Sequence, residues 1–350
     1  MRKFDYSSLK EKKWDSEIIS LVAQIHEYKG RQEIYLKQKP EELDKLIEIA
    51  KRQSTEASNA IEGIRTTSTR LRQLCEEKTT PKNRDEEEIL GYRDVLNTIH
   101  ENYEYIPIRA NYILQLHRDL YKYTEKNIGG HFKVSQNVIA ATYEKGKEYM
   151  LFTPLAPYET PSAIDDICEN YNKMIGSEEL DSILLIPIFI HDFLCIHPFS
   201  DGNGRMSRLL TALLLYRSGY VVGKYISIEN KIAKNKDLYY KALENCQDGW
   251  HENKEDVTSF VKYMLRIILA SYRDFEERVE LVSEKIPAKE IVRRAIYNKI
   301  GKITKSDVVE LCPSIGKKSV ELALKQLVEE GVLIKKGNGR ATFYVRSDFE

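Results

Sequence analysis

The chain has 350 residues, with 54 lysines and arginines against 54 aspartates and glutamates, and five cysteines. That length points to more than one domain, and zero formal net charge excludes a global basic field that would recruit nucleic acid or an anionic membrane, so any such partner needs a local patch. The cysteines (Cys75, Cys168, Cys195, Cys246, Cys312) are scattered, odd in number and without a CxxC pair, which argues against a disulfide framework and a zinc site and predicts a reducing, cytoplasmic location.

The N-terminus, MRKFDYSSLKEKKWD, lacks the apolar core of a signal peptide, so secretion is not expected. Helical periodicity fills most of residues 17 to 74, with Pro40 suited to a helix start and Gly63 to a helix end. The charged run 76 to 88 reads as a solvated connection leading into an acidic helix start. Helical patterns resume at 89–103 and 108–123, on either side of Pro107.

At Gly129-Gly130 the texture changes. HFKVSQNVIAATYEKGKEYMLFTP reads as a hairpin over 131 to 153 with its turn at 144 to 147, and Pro154, Pro157 and Pro161 end it. Helices are predicted at 162–175 and at 183–196. The second is the longest apolar run, short of the roughly 20 residues of a membrane span and interrupted by His191 and Asp192, so a buried helix is expected and no membrane partner. Further helices are predicted at 208–220, 236–247 and 255–286. The last 65 or so residues read helix, helix, helix and two strands, the pattern of a winged helix-turn-helix.

One stretch carries a chemical signal: HPFSDGNGRMSR, residues 197 to 208. Pro198 discourages helix at His197, and a second apolar helix begins near Gly204, so Gly202, Asn203 and Gly204 open a helix where backbone amides lack partners and negative charge is favoured. Arg205 and Arg208, three apart, can offer guanidinium forks to phosphate oxygens. Asp201 beside bare phosphates calls for an intervening cation, and magnesium held by Asp201 supplies one. His197 has the intrinsic basicity to take a proton from a hydroxyl near neutral pH. Taken one at a time, these residues have structural explanations. Twelve consecutive positions carrying all of them describe nucleotidyl or phosphoryl transfer, and no P-loop, kinase or Rossmann signature competes.

The same twelve residues resemble the signature of the Fic family, HxFx(D/E)GNGRxxR, at every specified position, and the element order is similar over residues 50 to 265. The resemblance implies a mainly α protein with an all-helical core, a β-hairpin flap and transfer of AMP from ATP to a tyrosine, threonine or serine hydroxyl of a target protein, the protein itself included. It implies His197 as base, Asp201 as magnesium ligand and Gly202 to Gly204 as anion hole. Asn203 would sit at the α-phosphate, Arg205 and Arg208 at the outer phosphates, and Phe199 would be a hydrophobic plug. The unaltered glycine-asparagine-glycine core and the acid at 201 favour ATP as substrate over other donors. The hairpin resembles the family's flap, in which Asn137, Val138, Ile139 and Ala140 would hold the target segment by strand addition; Lys133 stands where many members have arginine. Tyr239, Tyr240 and Gln247 fall where the family builds its adenine pocket, and core packing is the alternative for all three.

Upstream, SNAIEG at 58 to 63 resembles the family's inhibitory motif, (S/T)xxxE(G/N). The resemblance pairs Glu62 with Arg208 and sets Ser58 one turn behind it. A carboxylate engaged with that arginine must be displaced before ATP can align.

GNGR recurs at 337 to 340, with no histidine before it and an alternating strand after it, so a turn is expected there. Lys317, Lys318, Lys325, Lys335, Lys336 and Arg340 offer a local patch for DNA on the predicted recognition helix and wing, and such modules also dock proteins or form homodimers. The expected division is an inhibitory helical region over 1–90, a catalytic core over 91–280 and the winged helix over 281–350. Two alternatives stand beside a self-inhibited AMP-transferase: an enzyme that removes AMP, and a DNA-binding regulator whose core senses nucleotide.

Overall fold

Amphipathic and fully apolar helical patterns, closed by glycines and prolines, produce the architecture of the computed structural model, which describes residues 2–38, 40–125, 128–142, 148–283, 287–297, 301–312 and 315–347. In chain order the elements are α1 (Ser16–Gln38), α2 (Pro40–Ile61), α3 (Ser68–Cys75), α4 (Arg84–Asn102) and α5 (Ala110–Leu120), then β1 (Ile139–Thr142) and β2 (Glu148–Phe152). These are followed by α6 (Thr160–Ser177), α7 (Ser182–Ile196), α8 (Asn203–Arg217), α9 (Ile228–Lys234), α10 (Lys236–Glu244) and α11 (Thr258–Ser283). The chain ends with α12 (Ala288–Tyr297), α13 (Lys305–Leu311), α14 (Lys317–Glu329), β3 (Leu333–Lys336) and β4 (Phe343–Arg346).

Two compact units are present, one formed by Met1–Lys29 with Ala50–Ser271 and the other by Gly30–Ile49 with Tyr272–Glu350. The boundaries expected at 90 and 280 from chain order differ from these, because α1 and α2 each contribute one part to each unit.

In the first unit α7 is apolar on every face and is buried from Ile183 to Ile196, as a helix without a polar stripe must be. It packs between α6 and α8, and α8 in turn packs on α4. Among the described residues no helix is long and apolar enough to cross a membrane. The acidic start of α4 is less solvated than its composition implies. Glu86 and Glu88 are 3% and 2% exposed, because each is neutralised inside: Glu86 by Arg70 at 2.5 Å and Glu88 by Arg205 at 2.7 Å. The hairpin is also shorter than expected. Pairing begins at Ile139, opposite Phe152, since 133–137 is bonded to the turn after α7 instead of to a partner strand; the turn at 144–147 lies outside the described residues.

In the second unit α12, α13 and α14 enclose a core that includes Val292, Ile296, Val308, Leu324 and Leu327. β3 and β4 pair antiparallel from Leu333↔Arg346 to Lys336↔Phe343, and Ile303 bridges Tyr344. The second GNGR is the connection between these strands. Gly337 and Gly339 have φ of 76° and 58°, and a Cβ at Gly337 would collide with the Ala341 carbonyl.

Three buried imidazoles make the first unit acid-sensitive. Burial pushes His100 down to about 3 and His117 and His191 down to about 4. The unfolded chain, with ordinary histidines near 6.5, therefore binds more protons between those values. Stability from these groups is complete above pH ~6.5 and is lost as pH falls toward 4. Each histidine is expected to remove up to about 2 kcal/mol between pH 7 and pH 5. Urea midpoints at the two pH values check this; equal midpoints would mean that the imidazoles already accept protons in the folded protein.

Candidate functional site

The turn between α7 and α8 starts with His197, the C-cap of α7, at φ 50° and ψ 61°. This left-handed conformation costs a non-glycine residue about 1 kcal/mol, and surrounding contacts fix it. Nδ1 lies 3.1 Å from the Leu194 carbonyl, which can only accept, so Nδ1 carries the proton and Nε2 presents a lone pair. Burial first, and then the charge of Lys133, lowers this histidine to about 4. The ring is neutral at neutral pH.

The rest of the turn is clamped from three sides. Phe199 is fully buried and stacks on His117 with ring centres 3.6 Å apart and planes within 5°. His117 donates from Nε2 to the Asp201 carbonyl at 3.0 Å and accepts at Nδ1 from Gly130 N at 3.0 Å. From below, Asn203 uses both ends of its amide on Phe199, accepting from its N–H at 2.9 Å and donating to its carbonyl at 2.7 Å. From the root of the hairpin, Lys133 N donates to Pro198 O at 2.8 Å and Lys133 Nζ donates to Ile196 O at 3.0 Å and Asn137 Oδ1 at 2.8 Å. Asn137 Nδ2 then reaches the carbonyls of His197 (3.2 Å) and Phe199 (3.0 Å).

Asn203→Ala is expected to cost about 2 kcal/mol, two neutral hydrogen bonds at the usual net value. Faster amide exchange at Phe199 would report it. Unchanged protection there would mean that His117 stacking and the Lys133–Asn137 clamp hold the turn without Asn203.

α8 opens at Asn203, and its first i to i−4 bond runs from Met206 N to Gly202 O, so the amides of 203 to 205 have no acceptor inside the helix. Gly202, at φ 84°, also has Tyr121 Oη 2.9 Å from where a Cβ would stand. At Gly204 an added Cβ would run into Oε1 of Glu62. The carboxylate of Glu62 thus lies against the helix start, which is where an anion is favoured.

The two arginines diverge. Arg208, 3% exposed, donates Nε to Ser58 Oγ at 2.8 Å and Nη2 to Ser58 O at 3.0 Å and to Glu62 Oε1 at 2.7 Å. Arg205, 1% exposed, instead turns to Tyr121 Oη and Glu88 Oε2, both at 2.7 Å, while its Nε and Nη1 are buried without partners. Asp201 takes the Gly202 amide on Oδ1 at 2.7 Å.

Among the described residues no group of three or more His, Cys, Asp or Glu side chains is arranged around a metal position. A half-buried single carboxylate at the mouth of an anion nest fits a hard cation that takes its other ligands from phosphate oxygens and water.

Tyr239 is buried and Tyr240 is 42% exposed on α10; burial first, and then the charge of Glu62, raises both hydroxyls, while Arg208 lowers them. Gln247 is joined to its surroundings through its backbone in the turn after α10. Val138 is half exposed, Ile139 and Ala140 lie on β1, and Asn137 is committed to the catalytic turn. His117, Tyr121 and Glu88 belong to the site and had no sequence signal of their own, since the turn residues that His117 and Tyr121 meet lie 84 positions away; the Lys133 amine reaches Ile196 across 63.

The chain is similar to known proteins in sequence and in fold. The Fic/DOC family profile matches residues 107–215. A Fido domain-containing protein of Dictyostelium discoideum is 27% identical over 139 residues, 39% of this chain and 92% of that one. The protein adenylyltransferase Fic of Drosophila erecta is 26% identical over 217 residues; the match takes in 59% of this chain and 38% of the relative's length. In fold, a Fic family protein from Desulfovibrio desulfuricans G20 superposes with a TM-score of 0.61 at 19% identity, covering 96% of this chain and 97% of that one. The HPFSDGNGRMSR turn lies inside the segment that matches the Fic/DOC family, residues 107–215.

Proposed function

We propose that this protein transfers AMP from ATP to a hydroxyl side chain of a protein target, and that Glu62 holds it in a repressed state. The observation that carries the reading is the shared turn: a neutral histidine with a free Nε2 at its start and an arginine at its end, with a carboxylate seated on that arginine where phosphate would lie. The protein adenylyltransferases among its relatives lend the reaction class.

His197 Nε2 takes the proton of the target hydroxyl, whose oxygen attacks the α-phosphorus. The bond from that phosphorus to the bridging oxygen breaks, and pyrophosphate leaves. The amides at the start of α8 and the guanidinium of Arg208 hold the phosphates in line for that displacement. Asp201 would hold Mg2+, which when bound neutralises phosphate charge. Tyr239 and Tyr240 would flank the adenine, and Ile139 and Ala140 on β1 would offer the target backbone a strand edge.

ATP labelled at the α- or the γ-phosphate separates the readings. Label from the α-position alone should pass to protein, in an amount that rises when Glu62 is replaced. Transfer of γ-label would replace the proposal with phosphorylation, and release of AMP from a modified protein without any labelling would replace it with the reverse reaction.

Of the six basic residues expected to face DNA, Lys325 is paired with Glu329 at 3.7 Å.

A further inference from the structure

The last turns of α2 dock through an unusual face. Ser54, Thr55, Ser58 and Asn59 are each 2% exposed or less, so a helix that ought to bury an apolar stripe buries hydroxyls and an amide beside Ala57 and Ile61. Such a face contributes little apolar area and depends on its hydrogen bonds. It can therefore be released at small cost, which is a property of switch elements.

Three of its polar groups recur at intervals of four, Ser54, Ser58 and Glu62, and each meets a partner from the core. Ser58 and Glu62 share Arg208. Ser54 meets a different group. Its Oγ donates to Oε2 of Glu229 at 2.6 Å and lies 2.9 Å from Ser227 Oγ. Glu229, on the first turn of α9, is 5% exposed and also accepts from Ser227 Oγ at 3.3 Å and from Tyr92 Oη at 3.2 Å. Glu229 and Arg208, the two anchors of α2, line one small cavity with Thr211 and Ile232. At the end of the helix, Lys236 Nζ donates to the Ile61 carbonyl at 2.6 Å. α9 and α10 together hold α2 by both of its last turns.

We propose that Glu229 is the docking latch of the inhibitory helix: a positioning residue that holds Ser54 and thereby sets Glu62 against Arg208. The inference rests on Glu62 acting as a brake and goes beyond it, since it assigns the helix's docked population to a carboxylate that touches neither nucleotide nor target. It also joins the brake to the segment that bears Tyr239 and Tyr240. A nucleotide that moves α9 and α10 would loosen Ser54 and Glu62 together.

The test compares S54A, E229Q, E62G and the combinations S54A/E62G and E229Q/E62G, in the full chain, by labelling of protein from α-labelled ATP. S54A and E229Q each should raise labelling about threefold to tenfold, the range for one weakened hydrogen bond to a charged group. Neither should add to E62G. Amide exchange over 54–61 should quicken in both single variants while α7 keeps its protection, a pattern that general destabilisation would not give. A gain of activity cannot come from unfolding, so loss of labelling by S54A and E229Q in both backgrounds overturns the latch. So does unchanged labelling while E62G is active. If E62G itself gains nothing, the brake reading falls and the latch falls with it.

Discussion

His197→Ala should lower AMP transfer by roughly a hundredfold to ten-thousandfold while ATP binding persists. The ring's proton-bearing side is spent on Leu194, which leaves the lone pair on Nε2 to act as base. In the proposed reaction the α8 amides and Arg208 hold the phosphates, so a titration with ATP should give the wild-type affinity. Alanine strains the left-handed backbone at 197 by about 1 kcal/mol, and His197→Asn, which tolerates that conformation, separates backbone strain from lost chemistry. Both variants should be inactive. An active asparagine variant would remove the base from the mechanism. The low value near 4 adds a pH signature. The neutral, competent form is present above that value and disappears only as pH falls through it, so labelling should hold steady from pH 7.5 to pH 6. An ordinary imidazole near 6.5 would lose about three-quarters of its neutral form over that span. A fourfold fall would mean that the base titrates as if it were exposed.

Glu62→Gly should raise labelling tenfold to a hundredfold, the value of one charge-assisted pair between a carboxylate and a buried guanidinium. Removing the side chain clears the space beside Gly204 and leaves Arg208 with Ser58 as its remaining polar anchor on α2. Glu62→Gln separates charge from bulk: it keeps the obstruction at Gly204 and removes the ionic attraction, so an intermediate gain is expected. Intact mass after incubation with ATP and magnesium reads both variants directly, as chains carrying one added AMP. Equal labelling by wild type and Glu62→Gly would leave the ion pair as a structural contact only.

The shape of the 197–208 turn was legible because it is set locally. A proline, two glycines and two arginines within twelve positions shape a helix start by backbone sterics and short-range charge, and those act between near neighbours in the chain. The same holds for the second GNGR, where a following strand pattern already distinguished a turn from a phosphate site. Most helices were legible for a similar reason, since period and caps are written in consecutive residues.

What the sequence could not show is which distant group each of those residues would meet. Glu86 and Glu88 have the composition of a solvated helix start, and burial with Arg70 and Arg205 reverses that. Arg205 and Arg208 are alike in the signature, yet packing sends one to Glu88 and Tyr121 and the other to Ser58 and Glu62. Lys133 and Asn137 read as part of a hairpin, and only the close approach of that segment to α7 makes them the clamp on His197. Ser54 and Glu229 are 175 residues apart. Sequence alone determined the chemistry of the turn and the helical elements around it, through interactions that span a few residues. Tertiary structure alone decided burial, partner choice and the docking of α2, because pairing of charges and hydroxyls in a low-dielectric interior depends on which helices meet.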